Sequence, residues 1–152
     1  MKIKRAIIDF SAVCFAQFYG SVMRDDMLED DEEKIHFFKH CVLNKLADLQ
    51  SVLKVNETIL AIDSSSWRKD HFEYYKAARA IKRAEKPVET NLAYDCINSL
   101  VSDLHNLNYK VMQVNRAEAD DIIGVLCSIF EKDENTELVY IVSGDKDFQQ
   151  LT

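Results

Sequence analysis

Four short apolar runs punctuate the chain and predict strands, "RAIIDF", "TILAI", "YKVMQV" and "LVYIVSG", the first and last of them read as buried. The segments between them carry a helical period instead. Over 33–55 the apolar positions Ile35, Phe38, Val42, Leu46, Leu49 and Leu53 recur at helical spacing. Leu92, Cys96, Leu100 and Leu104 share one face of a second helix expected over 88–107. "NRAEADDIIGVLCSIFEKDE" predicts a third, with Asn115 as its N-cap. "SAVCFAQFYGSVM" reads as a helix or a turn-rich return, and the acidic run "DDMLEDDEE" as a solvated lead into the helix over 33–55. Strands and helices thus alternate at βαβ spacing. The fold expected is α/β, a mostly parallel central sheet with helices on both faces.

Strand and helix order also decides where the polar residues fall. Open parallel sheets bind ligands at the carboxyl ends of their strands. Asp9 ends the first run and Asp63 the second; Glu118, Asp120 and Asp121 follow the third, and Asp145 and Asp147 the fourth. A lone aspartate after a strand is ordinarily a helix cap or a loop acid. Acids after all four strands are a different matter, because clustered carboxylates repel unless a cation neutralises them. Hard divalent ions take such oxygen ligands, and Mg²⁺ suits a few carboxylates with waters and substrate phosphate. The pattern predicts one or two divalent ions at this rim, able to activate water on a phosphodiester. Glu118 and Asp121, three apart at a helix start, are also placed to cap that helix.

A second pattern lies behind Asp63. Between Trp67 and Lys86 stand seven basic residues, Arg68, Lys69, Lys76, Arg79, Lys82, Arg83 and Lys86, against three acids. Trp67, Phe72, Tyr74 and Tyr75 are interleaved, and Pro87, the sole proline, closes the segment. A solvated amphipathic helix is one reading. A surface that tracks phosphates and offers aromatic faces to unstacked bases is the other, and the position beside an acidic strand tip favours it. The aromatics divide evenly between core and stacking roles.

Composition bounds these readings. With 152 residues, 47% of them hydrophobic and 30% charged, the chain has the makings of one globular domain. A net charge of -7 argues against nucleic-acid binding by bulk attraction and leaves room for a local basic patch. No Gly-rich phosphate loop is present, which argues against ordinary dinucleotide or P-loop sites. Cys14, Cys41, Cys96 and Cys127 sit singly among apolar neighbours, as reduced thiols do. His36 and His40 have zinc-compatible spacing but no third ligand nearby, so surface histidines are expected. No apolar run reaches membrane-spanning length, and a soluble, cytoplasmic protein with no membrane partner is expected.

"IIDFS", "AIDSS…YYKAAR", "EADDIIGVL" and "IVSGDKDFQQL" together resemble the successive motifs of the flap-endonuclease family of 5′ nucleases, within the PIN-like fold, and most of all its phage ribonuclease H and 5′-3′ exonuclease members. The resemblance implies metal-dependent cleavage of DNA or RNA-DNA hybrids near 5′ ends and flaps during replication or repair, with replication proteins as further partners. It implies Mg²⁺ as cofactor, with Mn²⁺ as the alternative and two ions in the complete enzyme. It casts Asp9, Asp63, Glu118, Asp120, Asp121, Asp145 and Asp147 as metal-site carboxylates. Lys76 and Arg79 become the basic pair that contacts the scissile phosphate, within a basic, arch-like helical insertion over 67–87. Arg68, Lys69, Lys82 and Arg83 add nucleic-acid contacts. It further implies host-cell cytoplasm if the chain is phage-encoded.

Family members continue past the "DKDF" motif with further aspartates and a helical hairpin, so the domain over 1–152 is expected to be an N-terminal part with weak or absent cleavage of its own. A small PIN-type ribonuclease complete at this length, and a non-catalytic nucleic-acid-binding module, are the other two readings.

Overall fold

The structure is a computed structural model that describes residues 2–107 and 109–151. Of the domain expected over 1–152, Met1, Asn108 and Thr152 lie outside the described residues. Four strands, β1 (Ile3–Asp9), β2 (Glu57–Ile62), β3 (Lys110–Gln113) and β4 (Thr136–Val142), form one sheet in the order β3-β2-β1-β4. Every pairing is parallel. Five α-helices connect and cover them: α1 (Phe10–Gly20), α2 (Asp31–Leu53), α3 (Ala77–Glu85), α4 (Pro87–Asn106) and α5 (Ala119–Glu131).

Strand alternation assigns the two faces of the sheet. Ile8, Leu60 and Ile62 point to one side, into a core built by Phe10, Cys14 and Phe18 of α1, Phe38, Val42 and Leu46 of α2, and Leu92, Cys96, Leu100 and Leu104 of α4. Ile7, Ile59 and Ala61 point to the other, where α5 packs with Ala119, Ile122, Ile123 and Leu126. Helices therefore lie on both faces, as the alternation requires. Burial on both sides explains why β1 and β2 read as unbroken apolar runs. The thiols of Cys14 and Cys96 are buried and free, and burial pushes both up, Cys96 to about 11. His36 and His40 are exposed on α2.

Two expectations need correction. Asn115 does not cap the helix of the "EADD" segment; residues 115–117 form a turn and Glu118 is the N-cap of α5. The reason is local: Ala117 N–H bonds Val114 O at 3.1 Å and closes that turn before helix geometry begins. The fourth strand is not fully buried either. β4 starts earlier, at Thr136, and lies at the sheet edge with β1 as its one neighbour, so Leu138 stays exposed. Its hydrophobic run reflects packing of Val139 and Ile141 against the α5 layer and Val142 against the other core.

At the amino ends of the strands a buried arginine ties the sheet together. Arg5 donates to Glu57 at 2.6 Å, pairs with Asp133 at 3.1 Å, bonds Thr136 and lies 4.5 Å from the ring centre of Phe130. β1, β2, β4 and the end of α5 are thus joined around one guanidinium. No helix among the described residues is long and apolar enough to cross a membrane.

The two-sided core carries a stability prediction. Phe18 is fully buried, edge-on to Phe38 at 6.5 Å. Phe18→Ala is expected to cost about 3–5 kcal/mol in urea unfolding. Val125→Ala on the outer face of α5, where Val125 is 60% exposed, is expected to stay within about 0.5 kcal/mol.

Candidate active site

The strand order places a topological switch between β1 and β4: the chain leaves β1 towards β2 on one side and returns to β4 on the other. The crevice outside the carboxyl ends at such a point is where open α/β sheets bind ligands. Asp9 stands there, 7% exposed, as the last residue of β1 and the N-cap of α1. One carboxylate oxygen accepts from the Ala12 N–H at 3.1 Å and the other from the Ser143 hydroxyl at 2.9 Å. Asp9 thereby links the exits of β1 and β4 across the switch.

The other strand exits are braced just as locally. Asp63 accepts from the Ala119 N–H at 2.7 Å, and its own N–H donates to the Ser11 hydroxyl at 2.9 Å. Ser64 and Trp67 donate backbone N–H groups to Ala117 and Arg116 carbonyls, each at 2.9 Å, so the loop after β2 is zipped to the loop before α5. Asp145 accepts from the Asp147 N–H at 3.0 Å, a local turn that fixes both at the exit of β4. Both of these acids are exposed. Asp120, on the first turn of α5, makes no hydrogen bond among the described residues.

Electrostatics divides the rim acids into two sets. Asp9 and Asp120 are held above the usual aspartate range, first by burial and then by the charges of neighbouring acids. The charges of Asp63 and Asp145 raise both, and Asp9 further raises Asp120. Asp9, Asp63, Asp120 and Asp145 thus form an anionic group with no ion-pair partner among the described residues, and only the charge of Lys76 offsets it in part, at Asp120.

Glu118 and Asp121 differ, because cations already neutralise them. Burial pushes Glu118 up, but hydrogen bonds from Lys76, Tyr75 and Ser66 outweigh it and leave the carboxyl below its ordinary value. Asp121 is lowered chiefly by Arg68, whose guanidinium grips it with two bonds at 3.0 and 2.7 Å. The same pair of acids forms the capping box of α5, with the Glu118 N–H donating to Asp121 at 3.0 Å.

The basic segment follows the acids closely. A short 3-10 turn over Trp67–Asp70 leads through turns to α3, which has no buried residue. Arg68 and Lys76 bend back onto the rim. Lys69, Arg79, Lys82 and Arg83 make no side-chain ion pair among the described residues and stand exposed. Trp67, Phe72 and Tyr74 are exposed too and belong to neither core cluster, which settles against a core role for these three. Ser11, Ser66 and Ser143 escaped sequence reasoning. Their signal was the serine that recurs next to each strand-tip acid, in "DFS", "DSSS" and "SGD".

Among the described residues no three ligating side chains close on a single point as a ready-made metal cage. Repulsion among four carboxylates gives the physical reason, since nothing in the protein draws them together. The donor set itself, oxygen-only and anionic, is the chemistry that a hard divalent ion takes.

Comparison with known proteins places this architecture. Residues 4–152 match the family model described as 5′-3′ exonuclease, N-terminal resolvase-like domain. The chain belongs to that family. It is 30% identical over 130 residues to ribonuclease H of Enterobacteria phage T4, covering 80% of this chain and 42% of the relative. Its fold is that of T5 5′-exonuclease, solved with zinc bound, at a TM-score of 0.77, 18% identity, and coverage of 97% of this chain and 51% of that one. A T5 flap endonuclease solved in a pseudo-enzyme-product complex with DNA and metal ions is similar at a TM-score of 0.69 and 16% identity, covering 95% and 50%. The chain thus spans about half the length, or less, of these relatives.

The uncompensated set carries a prediction for the metal-free protein. A carboxyl raised in the folded state destabilises it once ionised, so its penalty is present at neutral pH and fades as pH falls through the raised value. In the presence of a chelator at neutral pH, Asp120→Asn is therefore expected to raise Tm. A lowered Tm would mean that these acids do not repel one another.

Proposed function

We propose that this chain is the metal-binding part of a 5′ nuclease that hydrolyses phosphodiesters in DNA or RNA-DNA hybrids near a 5′ end or flap. The observation that carries the reading is the uncompensated group of Asp9, Asp63, Asp120 and Asp145 at the switch point. Acids gathered at this density, two of them raised by burial and by neighbouring charge, are expected where a cation belongs. The activity for which the family is named and the metal ions and DNA bound in similar solved structures support the same reading.

In this proposal Mg²⁺, or Mn²⁺ in its place, is held by those four acids, with Asp147 beside them for a second ion. Bound there, a divalent ion supplies Lewis-acid stabilisation of a phosphoryl oxygen and a more acidic water. The protein's own residues do the rest. Hydrogen bonds from Ala12, Ser143 and Ala119 orient Asp9 and Asp63 before any ligand arrives, which limits reorganisation during reaction. Lys76 and Arg79 lie on the approach to the rim and bind phosphate oxygens as charge accumulates on them. Lys69, Lys82 and Arg83 track the backbone, and the exposed rings of Phe72 and Tyr74 present aromatic faces to unpaired bases. The segment over 67–87 acts as the substrate-guiding insertion within a single domain, arching beside the site.

Titration calorimetry tests the reading. The parent chain is expected to bind Mn²⁺, and the Asp120→Asn, Asp145→Asn double variant to lose that binding. Affinity is expected to fall as the solution is acidified, and to begin falling at a higher pH than ordinary aspartates would give, because Asp9 and Asp120 retain protons longer. A double variant that binds Mn²⁺ as the parent does would refute the assignment.

A further inference from the structure

Glu118 is the most heavily engaged side chain on the rim. It is buried, and both its oxygens are committed. One accepts from Ser66 at 2.9 Å, Arg68 at 3.2 Å and Tyr75 at 2.7 Å; the other accepts from Lys76. All four donors belong to the stretch that leads from β2 into the basic segment. Along that stretch, no residue from 67 to 74 packs into either hydrophobic cluster, so apolar burial does not hold it in place.

The backbone supports the same point. Lys76 adopts φ 55, the left-handed region, although it is not a glycine. That conformation costs free energy and persists when surrounding contacts over-determine it. Here the contact is its own ammonium group, turned back onto Glu118 beside the Tyr75 ring, whose centre lies 5.3 Å from the nitrogen. Arg68 provides a second tie, forked onto Asp121 and lying 4.8 Å from the ring centre of Trp67.

We propose that Glu118 is a positioning residue: the anchor that fixes Ser66, Arg68, Tyr75 and Lys76 against the start of α5, and so sets the basic segment beside the metal-binding acids without itself being required to hold the ion. The inference rests on the nuclease reading for what the positioned cations do, but not for the anchoring. It splits the seven rim acids by task. Asp9, Asp63, Asp120, Asp145 and Asp147 remain available to divalent ions, whereas Glu118 and Asp121 are the counter-charges of the guiding segment. A metal approaching Glu118 would have to compete with four donors, two of them cationic, whereas the acids left available have no cation bound to them among the described residues.

The chain's sole tryptophan, Trp67, lies in the anchored stretch, so its emission reports the anchor directly. In Glu118→Gln, which keeps shape and removes charge, hydrogen exchange across 67–86 is expected to accelerate about tenfold or more. Trp67 emission is expected to shift to the red, and Mn²⁺ affinity by calorimetry to stay within about threefold of the parent. Tyr75→Phe, which removes one hydroxyl, is expected to give a smaller change of the same kind. Lys76→Arg is expected to keep the parent's protection and emission, whereas Lys76→Met loses both, a rescue that packing alone would not produce. Unchanged exchange and emission in Glu118→Gln would overturn the anchor, as would loss of Mn²⁺ binding with the segment still protected. Asp120→Asn separates the two readings. Retained Mn²⁺ binding in that variant counts against the metal assignment, and the exchange result in Glu118→Gln stands apart from it.

Discussion

Repulsion between like charges at one rim is the constraint around which this molecule is arranged. A parallel sheet has no choice about where its strand exits go; all four open at the same edge. A sequence that places acids at those exits therefore concentrates negative charge in one crevice. The protein meets part of that charge from within, through Arg68 and Lys76. Of the remaining acids, Asp9, Asp63 and Asp145 receive hydrogen bonds from backbone amides and Ser143 but no ion pair among the described residues. In the proposed reading the unmet charge marks the functional space, and the met charge anchors the segment beside it.

This division links stability to activity in an ordinary physical way. The two-sided core and the Arg5 cluster at the far end of the strands are fully satisfied and supply rigidity. Rigidity there lets crowded carboxylates be tolerated at the opposite rim. The basic segment has the opposite character. It is exposed, poor in apolar contacts and held by ion pairs, the kind of element whose local stability is low enough to rearrange around a substrate.

Much of the fold was legible because its signals are periodic. Ile35, Phe38, Val42 and Leu46 marked α2, and the unbroken "AII" and "ILAI" runs marked strands buried on both faces. Legibility failed where the answer depended on a neighbour. "LVYIV" reads like "RAII", yet β4 has one strand partner and leaves Leu138 in solvent, a matter of sheet order that no local pattern encodes. Asn115 has good capping chemistry, but a turn closed by Val114 and Ala117 moved the helix start to Glu118.

The candidate site divides in the same way. That acids follow every strand is a fact of sequence plus topology, and it was visible at once. That Glu118 faces Ser66, Arg68, Tyr75 and Lys76, some 42 to 52 positions away in the chain, is a tertiary fact with no spacing rule behind it. The central claim is that the unmet charge at the switch point is a divalent-ion site. Anomalous diffraction from crystals of the chain grown with Mn²⁺ tests it most directly. The account predicts a manganese peak bounded by Asp9, Asp63, Asp120 and Asp145. Manganese found only elsewhere on the surface, with that crevice empty at saturating Mn²⁺, would contradict it.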